Sequence, residues 1–279
     1  MASHSIRVDG ALTHYLEEGP ADGPKLVLVH DGGFGADGMA TWASILPRLS
    51  RRYHVFVPDQ LGFGATQKLY DFGAGARSQK IDHIARWMDC VGIRSAHFIG
   101  NSAGGSLILF AAMRSEWPIV KGVSICGAGD AFMQYAAYGP LRDYVPDKEG
   151  MRRIVELMVS RRDAVMEQLV EERYKKSLIR GHWEALSAVR LRPPATGSKP
   201  NKERSGEENS SFLSSLAAIK LPMLLIGGSD DRLLDPGWEA KLAEHIPGAR
   251  SLAVPGARHQ PHIDSADLVC EAIESFLEA

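Results

Sequence analysis

One serine lies between glycines at the point where an apolar segment changes its period. The stretch Gly100-Asn101-Ser102-Ala103-Gly104 fits the pattern G-x-S-x-G, follows a run typical of a buried strand and precedes a helical pattern. Glycines two residues to either side of Ser102 leave room for a sharp, strained turn that carries the hydroxyl beyond the strand end. The helix that follows points N–H groups and the positive end of its dipole at the same place. We therefore interpret Ser102 as a nucleophile, with a tight turn and an incidental serine as the alternative.

A serine hydroxyl needs a base, and the base needs an acid that orients it. Asp231 follows the apolar run "PMLLIGG" and is the predicted acid. His259 lies in the loop after a further apolar run and is the predicted base. The order Ser, Asp, His along the chain is one in which such triads occur. The other candidates are Asp230 and Asp130 for the acid and His262 for the base.

A glycine-rich loop follows the first long apolar run. In "VHDGGFGADGM", Gly32, Gly33 and Gly35 let the backbone approach a ligand closely. The N–H groups of Gly32 and Ala103 are the predicted donors to an oxyanion. The loop has neither the Lys-Ser/Thr ending of a phosphate-binding loop nor the spacing of a dinucleotide fingerprint. We interpret His30 as a hydrogen-bonding residue that supports the loop.

Short runs rich in Val, Ile and Leu predict the strands that carry these residues. The runs are 25–30, 54–59, 96–101, 120–127 and 222–228, and residues 5–10 and 13–19 predict a leading antiparallel pair. Segments of helical period lie between them, at 39–49, 78–91, 106–113, 236–245 and 266–277. Strands that alternate with helices need crossover connections, so the sequence predicts an α/β fold with a mainly parallel sheet covered by helices.

The alternation of strand and helix patterns stops after Gly129. Helical stretches that carry Met and Tyr occupy about 130–215, which predicts a helical cap between two parts of a core domain, 1–129 and 216–279. Within the cap, the polar segment 192–211 predicts a linker instead of an ordered element. A substrate pocket is expected between cap and core. The residues predicted for its wall are Gly33, Phe132, Met133, Tyr135, Tyr138, His182, Trp183 and Gln260.

Composition argues against several classes of partner. The 279 residues carry a formal net charge of -2, and the scattered Lys and Arg argue against nucleic acid or an anionic membrane as partner. We see neither a signal peptide nor an apolar window long enough to span a bilayer, so we expect a cytoplasmic protein. The three cysteines fit neither a disulfide framework nor a metal site. We expect a small-molecule substrate and no cofactor, and we leave open a homodimer or larger homo-oligomer.

The order of the motifs resembles the α/β-hydrolase family over nearly the whole chain. The motifs are "HDGG", "PDQLGFGAT", "GNSAGG", "GGSDDR" and "PGARH". Through "GGFGADG", "GNSAGG" and "SLIRGHWEAL", the chain is most similar to the meta-cleavage-product hydrolases, which cut a carbon–carbon bond in ring-fission products of aromatic degradation. The resemblance implies the α/β-hydrolase fold with a helical cap. Three positions depart from that group: His182 replaces a cap arginine, Gln260 replaces a tryptophan after the catalytic histidine, and Asp31 replaces a glycine.

Together these patterns predict a serine hydrolase. His259 takes the Ser102 proton, Ser102 attacks a carbonyl carbon, Asp231 orients the imidazole, and the N–H groups of Gly32 and Ala103 hold the oxyanion until water releases the acyl group. We expect a small apolar or aromatic carbonyl substrate that is cleaved at a carbon–carbon bond. The alternative is an ester or lactone. Two further classes are a cofactor-free lyase or oxygenase, in which Ser102 only positions the substrate, and a hydrolase-derived binding protein.

Overall fold

A computed structural model of the chain describes residues 1–72, 75–191 and 206–279. In that part of the chain, eight strands form one sheet in the order β1-β2-β4-β3-β5-β6-β7-β8. The strands β1 and β2, and also β2 and β4, pair antiparallel, and every other neighbouring pair is parallel. The strands are β1 (Ala2–Val8), β2 (Ala11–Glu18), β3 (Lys25–Val29), β4 (His54–Pro58), β5 (Ala96–Asn101), β6 (Ile119–Ile125), β7 (Met223–Gly228) and β8 (Arg250–Val254). The predicted α/β fold with a mainly parallel sheet is confirmed.

Burial explains why the central strands read as continuous apolar runs. Every residue of β4 and β7 is buried, as is β3 after its first residue. A parallel strand with helices on both faces has no solvent side, so its sequence does not alternate between apolar and polar residues.

Twelve α-helices lie in the described part of the chain. They are α1 (Gly38–Trp42), α2 (Leu46–Leu49), α3 (Ala76–Val91), α4 (Ala103–Arg114), α5 (Gly139–Arg142), α6 (Lys148–Met158), α7 (Ala164–Ser177), α8 (His182–Ser187), α9 (Gly206–Ser215), α10 (Trp238–Ala243), α11 (Pro261–Asp264) and α12 (Ala266–Glu278). The single helix predicted over 39–49 is two helices, α1 and α2. Pro47 explains the break, because proline is tolerated in the first turn of a helix and disrupts its interior.

The helix α9 corrects part of the linker prediction. Residues 206–211 of the predicted linker 192–211 belong to this helix, and residues 192–205 lie outside the described residues. Phe212 is buried against Phe110 of α4, with ring centroids 5.2 Å apart. This contact with the core anchors a helix that the polar composition of the segment does not indicate.

The buried apolar residues form two clusters. The larger one surrounds the sheet. The smaller one joins α6 and α7 to Phe34 and Ala40, which follow β3, and to Ile263 of α11. The helices α5 to α9 lie between β6 and β7 in the chain, which is where the cap is predicted, and the cap limits at residues 130 and 215 stay a prediction. No helix in the described ranges is long and apolar enough to cross a bilayer.

Candidate active site

Ser102 lies at a strained turn between β5 and α4. Its φ of 54° and ψ of -116° belong to a backbone region that a side chain rarely adopts, and such strain is concentrated at functional sites. Its N–H donates to the carbonyl of Ile125 at 2.8 Å. A Cβ on Gly100 would lie 2.4 Å from the carbonyl carbon of Gly104, and one on Gly104 would lie 2.1 Å from the oxygen of Val29. The glycines of G-x-S-x-G are therefore needed for close packing around the turn.

Three predicted side chains meet at this turn. The distance from Ser102 Oγ to His259 Nε2 is 2.8 Å, and that from His259 Nδ1 to Asp231 Oδ2 is 2.7 Å. Asp231 follows β7 and His259 follows β8, so neighbouring parallel strands deliver both residues to one edge of the sheet. If Nδ1 donates to the carboxylate, Nε2 is the acceptor that faces the serine hydroxyl.

The acid of the triad is held as an anion. Burial raises the pKa of Asp231, but the charge and hydrogen bond of His259 and the N–H of Leu233, 2.8 Å from Oδ1, outweigh burial and leave the pKa below its usual value. A permanent carboxylate fixes the orientation of the imidazole and stabilises the imidazolium that forms when serine is deprotonated.

The alternative acids and base have other contacts. Asp230 is exposed, and Asp130 pairs with both terminal nitrogens of Arg77. His262 is buried with Nε2 2.9 Å from the oxygen of Thr41, and burial lowers its pKa to about 4. The structure thus brings Asp231 and His259, not these residues, to the serine.

Two N–H groups beside Ser102 are the predicted donors to an oxyanion. A Cβ on Gly32 would lie 2.9 Å from the Cβ of Ala103, so the two predicted donors are neighbours. Ala103 is the first residue of α4, and its N–H has no partner within the helix. The next amide in the loop, that of Gly33, already donates to Asp31 Oδ1 at 2.8 Å. Gly32 and Ala103 therefore remain the predicted donors.

His30 supports the glycine-rich loop through both ring nitrogens. Its Nδ1 lies 2.7 Å from the oxygen of Asp31, and its Nε2 accepts from the N–H of Gln60 at 2.9 Å. Burial lowers the pKa of His30, which keeps the ring neutral. This geometry agrees with the supporting role predicted for it.

A buried ion pair joins the same loop to α7. Asp31 and Arg173 are fully buried, and their two nitrogen–oxygen distances are 2.9 and 3.0 Å. The hydroxyl of Thr41 donates to Asp31 at 2.9 Å. Burial raises the pKa of Asp31, but the Arg173 guanidinium and the Gly33 N–H outweigh burial and hold the pKa well below its usual range.

Sequence reasoning singled out Asp31 as a departure and missed its partner. A signal for Arg173 exists, because the buried face of α7 follows the helical period. A cation within such an apolar face indicates a buried partner. The buried residues of that face are Met166, Leu169, Val170, Arg173 and Ser177.

Gln260 connects this ion pair to the triad. Its Nε2 donates to Asp31 at 3.1 Å and to Asn101 Oδ1 at 3.3 Å. Asn101 in turn donates to the carbonyl oxygen of His259 at 3.1 Å. Gln260 is fully buried and does not line the cavity that was predicted for it, since its amide is engaged in this network.

A cavity of about 480 Å³ opens beside Ser102 and His259. Of the residues predicted for its wall, Gly33, Met133 and Tyr138 line it. Most other lining side chains are apolar, among them Phe34, Leu61, Phe63, Leu107, Leu141 and Met158. The charged side chains that line it, besides the triad, are Arg77, Lys80, Asp130 and Arg190, none of which the sequence analysis selected for the pocket.

Four further residues predicted for the wall lie elsewhere. His182 is buried behind the wall, where Nε2 accepts from the N–H of Gly35 at 2.9 Å and Nδ1 lies 3.0 Å from the oxygen of Gly62. Burial lowers its pKa to about 4, so it brings no charge to the site. Phe132, Tyr135 and Trp183 do not line the cavity. Phe132 packs against the main core, whereas Tyr135 and Trp183 are partly exposed to solvent, at 41% and 36%.

Three groups that could ligate a metal also meet here. Ligand atoms of Cys126, Asp231 and His259 lie within 4.8 Å of one another. Burial raises the pKa of the Cys126 thiol well above its usual value, and a protonated thiol is a poor ligand. Asp231 and His259 are bonded to each other, so the arrangement is that of a triad.

Comparisons with known proteins agree with this geometry. A model of the alpha/beta hydrolase family matches residues 26–272. The 2-hydroxy-6-oxo-2,4-heptadienoate hydrolase of Pseudomonas putida is 29% identical over 257 residues, which cover 92% of this chain and 90% of that protein. A 2-hydroxymuconate semialdehyde hydrolase of Pseudomonas putida is 27% identical over 272 residues, which cover 98% of this chain and 92% of that one.

A comparison with a solved structure supports the same family. The meta-cleavage product hydrolase from Pseudomonas fluorescens IP01, solved as a mutant complexed with acetates, superposes with a TM-score of 0.83 at 26% identity. The match covers 99% of this chain and 97% of that one. The predicted similarity to meta-cleavage-product hydrolases is confirmed, and the chain belongs to the alpha/beta hydrolase family.

Proposed function

We propose that the protein is a serine hydrolase that cleaves a carbon–carbon bond in a small carbonyl compound formed by ring fission of an aromatic ring. The observation that carries the hydrolase mechanism is the pair of hydrogen bonds from Ser102 to His259 and from His259 to Asp231, at 2.8 and 2.7 Å. The choice of substrate class is supported by the relatives, which are named for 2-hydroxy-6-oxo-2,4-heptadienoate and 2-hydroxymuconate semialdehyde.

The proposed reaction has two stages. His259 takes the proton of Ser102 as the oxygen attacks the carbonyl carbon, and the oxyanion accepts from the N–H groups of Gly32 and Ala103. The carbon–carbon bond then breaks, and the departing carbon receives the proton from His259. In the second stage, His259 deprotonates a water that attacks the acyl group, which leaves as an acid and restores the Ser102 hydroxyl.

The cavity suits a substrate of this size. Its volume of about 480 Å³ lies within the range of small-molecule sites, and its wall is mainly apolar with a few polar groups. Such a wall excludes water around the reacting carbonyl and strengthens the hydrogen bonds to the oxyanion.

Ester or lactone hydrolysis by the same triad is the second candidate. It is favoured by His182, which is buried and uncharged where the resemblance implies a cap arginine. The triad chemistry is shared by both reactions, so the leaving group distinguishes them.

The test measures both reactions with one pair of proteins. Wild type and Ser102→Ala are assayed with 2-hydroxy-6-oxohepta-2,4-dienoate, followed by the loss of its absorbance, and with 4-nitrophenyl butyrate. We expect the dienoate to be the better substrate and Ser102→Ala to lower kcat by about 10⁴-fold or more. Turnover of the ester alone would favour the second candidate. Undiminished turnover by Ser102→Ala would contradict the nucleophile role and favour a lyase or oxygenase, and absence of all turnover would favour a binding protein.

A cytoplasmic location and self-association also belong to the proposal. Cell fractionation of the source organism tests the location, and light scattering of the purified protein tests the homodimer or larger homo-oligomer. The proposed partner is a small-molecule substrate, with neither nucleic acid nor membrane.

A further inference from the structure

Lys80 is a cation in the wall of the cavity. It lies in α3, three residues after Arg77, and both side chains line the space that Ser102 and His259 also line. Lys80 is only partly exposed. The helix α3 precedes the predicted cap segment in the chain, so Lys80 belongs to the predicted core domain.

The two cations of α3 differ in their partners. Arg77 is paired with the Asp130 carboxylate, which lines the same cavity. In the described part of the chain, no carboxylate lies within salt-bridge distance of Lys80 and no hydrogen bond satisfies its ammonium. The Lys80 ammonium instead lies 4.6 Å from the ring centroid of Phe63. A cation over an aromatic face keeps its capacity to bind an anion.

The Phe63 contact connects Lys80 with the glycine-rich loop that carries Gly32. The Phe63 ring lies edge to face with His30, at 5.0 Å between centroids, and His30 is bonded to the backbone of Asp31. The two residues after His30 are Asp31 and Gly32, the second of which is a predicted oxyanion donor. Gly32, Phe63 and Lys80 all line the cavity, so a ligand whose carbonyl reaches Gly32 shares that space with Lys80.

The electrostatics of the cavity favour an anionic ligand. Among its described charged residues other than His259 there are three cations, Arg77, Lys80 and Arg190, and one carboxylate, Asp130. Burial lowers the pKa of Lys80 to about 8, whereas the field of Asp31 raises it. The ammonium is therefore charged at neutral pH but poorly hydrated. Such a group gains more from a carboxylate than a hydrated lysine does, because part of its desolvation has already occurred.

We propose that Lys80 binds the carboxylate of the substrate and so selects acidic carbonyl compounds over neutral ones. The inference rests on the proposed function of the site, since it assigns the second contact point of the molecule that Ser102 attacks. In the described structure, Lys80 supplies from the core the cation that His182 does not supply from the cap. A lysine that only covers Phe63 with its apolar stem is the alternative.

The test compares two ligands that differ in one terminal group. The probes are 4-nitrophenyl butyrate and mono-4-nitrophenyl succinate, in which a carboxylate replaces the terminal methyl. Both are titrated calorimetrically at pH 7 into Ser102→Ala, which prevents turnover, and into the same protein with Lys80→Met, Lys80→Arg or Lys241→Met added. Lys241 lies on α10 outside the cavity, and its replacement removes the same formal charge.

We expect the Ser102→Ala protein to bind the succinate ester more tightly than the butyrate ester. Lys80→Met should raise the Kd of the succinate ester by about 10- to 100-fold and leave that of the butyrate ester within about twofold. Lys80→Arg should retain most of the preference because it keeps the charge, and Lys241→Met should retain all of it.

Three results would overturn the inference. They are equal affinity of the Ser102→Ala protein for both esters, equal weakening of both by Lys80→Met, and retention of the preference in Lys80→Met. If Lys80→Met does not fold, loss of the preference in a folded Lys80→Gln variant carries the test instead. Binding does not require turnover, so these outcomes are independent of the kinetic assay of Ser102→Ala, whose failure would contradict the proposed function and not the role of Lys80.

Discussion

Two adjacent aspartates at the turn after β7 have different roles. Asp230 and Asp231 are adjacent, but Asp231 is buried and bonded to His259, whereas Asp230 is exposed and accepts from Ser229 at 2.9 Å. The second bond to Asp231, from the Leu233 N–H, fixes the carboxylate while the other oxygen faces the imidazole. Adjacent residues of one type thus differ in role because the backbone directs one inward.

Replacement of each aspartate by asparagine measures this difference. We expect Asp231→Asn to lower kcat by about 10⁴-fold, because the amide can hold His259 in the wrong tautomer. Asp230→Asn is the matched control and should leave kcat within about twofold, since exposed substitutions have small effects. Steady-state kinetics with the dienoate or the better substrate gives both values. A larger loss in Asp230→Asn would move the acid to that residue.

The charge of Lys80 should make the ligand preference depend on pH. Burial lowers the pKa of Lys80 to about 8, so the ammonium is present below pH 8 and is lost as the pH rises above it. The charged groups that bear on it are Asp31, whose field raises its pKa, and the pair of Arg77 and Asp130 in the same cavity. The preference for an acid is therefore a property of the protonated lysine.

The preference is expressed as the Kd of the butyrate ester divided by the Kd of the succinate ester. We expect this ratio in Ser102→Ala to fall by about tenfold between pH 7 and pH 9, because the succinate ester binds more weakly. In Ser102→Ala with Lys80→Arg the ratio should stay constant, because arginine keeps its charge. A ratio that falls equally in the lysine and arginine proteins would assign the pH dependence to another group.

At the scale of elements, α7 and the loop after β3 form one unit. Arg173 of α7 reaches Asp31 in the loop, and Gln260 extends the contact toward the triad. Both charges are fully buried, so each depends on the other for compensation. The connection holds α7 against the loop that carries Gly32.

A double-mutant cycle tests this unit. Asp31→Asn or Arg173→Met alone leaves one buried charge without its partner and should lower the free energy of unfolding by about 3–5 kcal/mol. The double variant should lose less than the sum of the single losses, with a coupling of at least about 2 kcal/mol. Urea unfolding followed by circular dichroism gives the four values. Additive losses would show that the two charges stabilise the fold independently.

The elements also show what the sequence could predict. The central strands and the order of the triad were accessible, because apolar runs, glycines and turn positions are local signals. The pair Asp31–Arg173 was not, since the two residues are far apart in the chain and only the packed helix reveals their contact. Lys80 was missed because it shares the face of α3 that carries the buried Ile84 and Trp87, which indicates a packed face. Only the folded structure shows that Lys80 on this face lines a cavity.

At the scale of the whole molecule, buried histidines make the fold sensitive to acid. Burial lowers the pKa of five histidines in the described part of the chain, namely His30, His83, His97, His182 and His262. For His83, His182 and His262 the pKa falls from 6.5 to about 4. Between these values the unfolded chain binds protons that the folded chain does not, so acid favours unfolding.

His83 illustrates the sign and size of this effect. His83 of α3 is buried with Nε2 2.9 Å from Thr13 Oγ1, and its neutral form contributes stability that is complete above pH 6.5 and lost as the pH falls toward 4. Its share is at most about 1.4 kcal/mol for each pH unit in that window. His14, whose pKa is raised by Asp59, acts at higher pH, and Glu239, whose pKa is raised by burial, opposes the trend.

We therefore expect the free energy of unfolding to fall steadily from pH 6.5 to pH 5, measured by urea titration at each pH. His83→Gln should reduce the slope of the free energy of unfolding against pH by the equivalent of about one bound proton. Glutamine can keep a hydrogen bond to Thr13 but does not titrate. Equal slopes in wild type and His83→Gln would mean that this histidine binds protons equally in the folded and the unfolded chain, and the acid sensitivity would then belong to other groups.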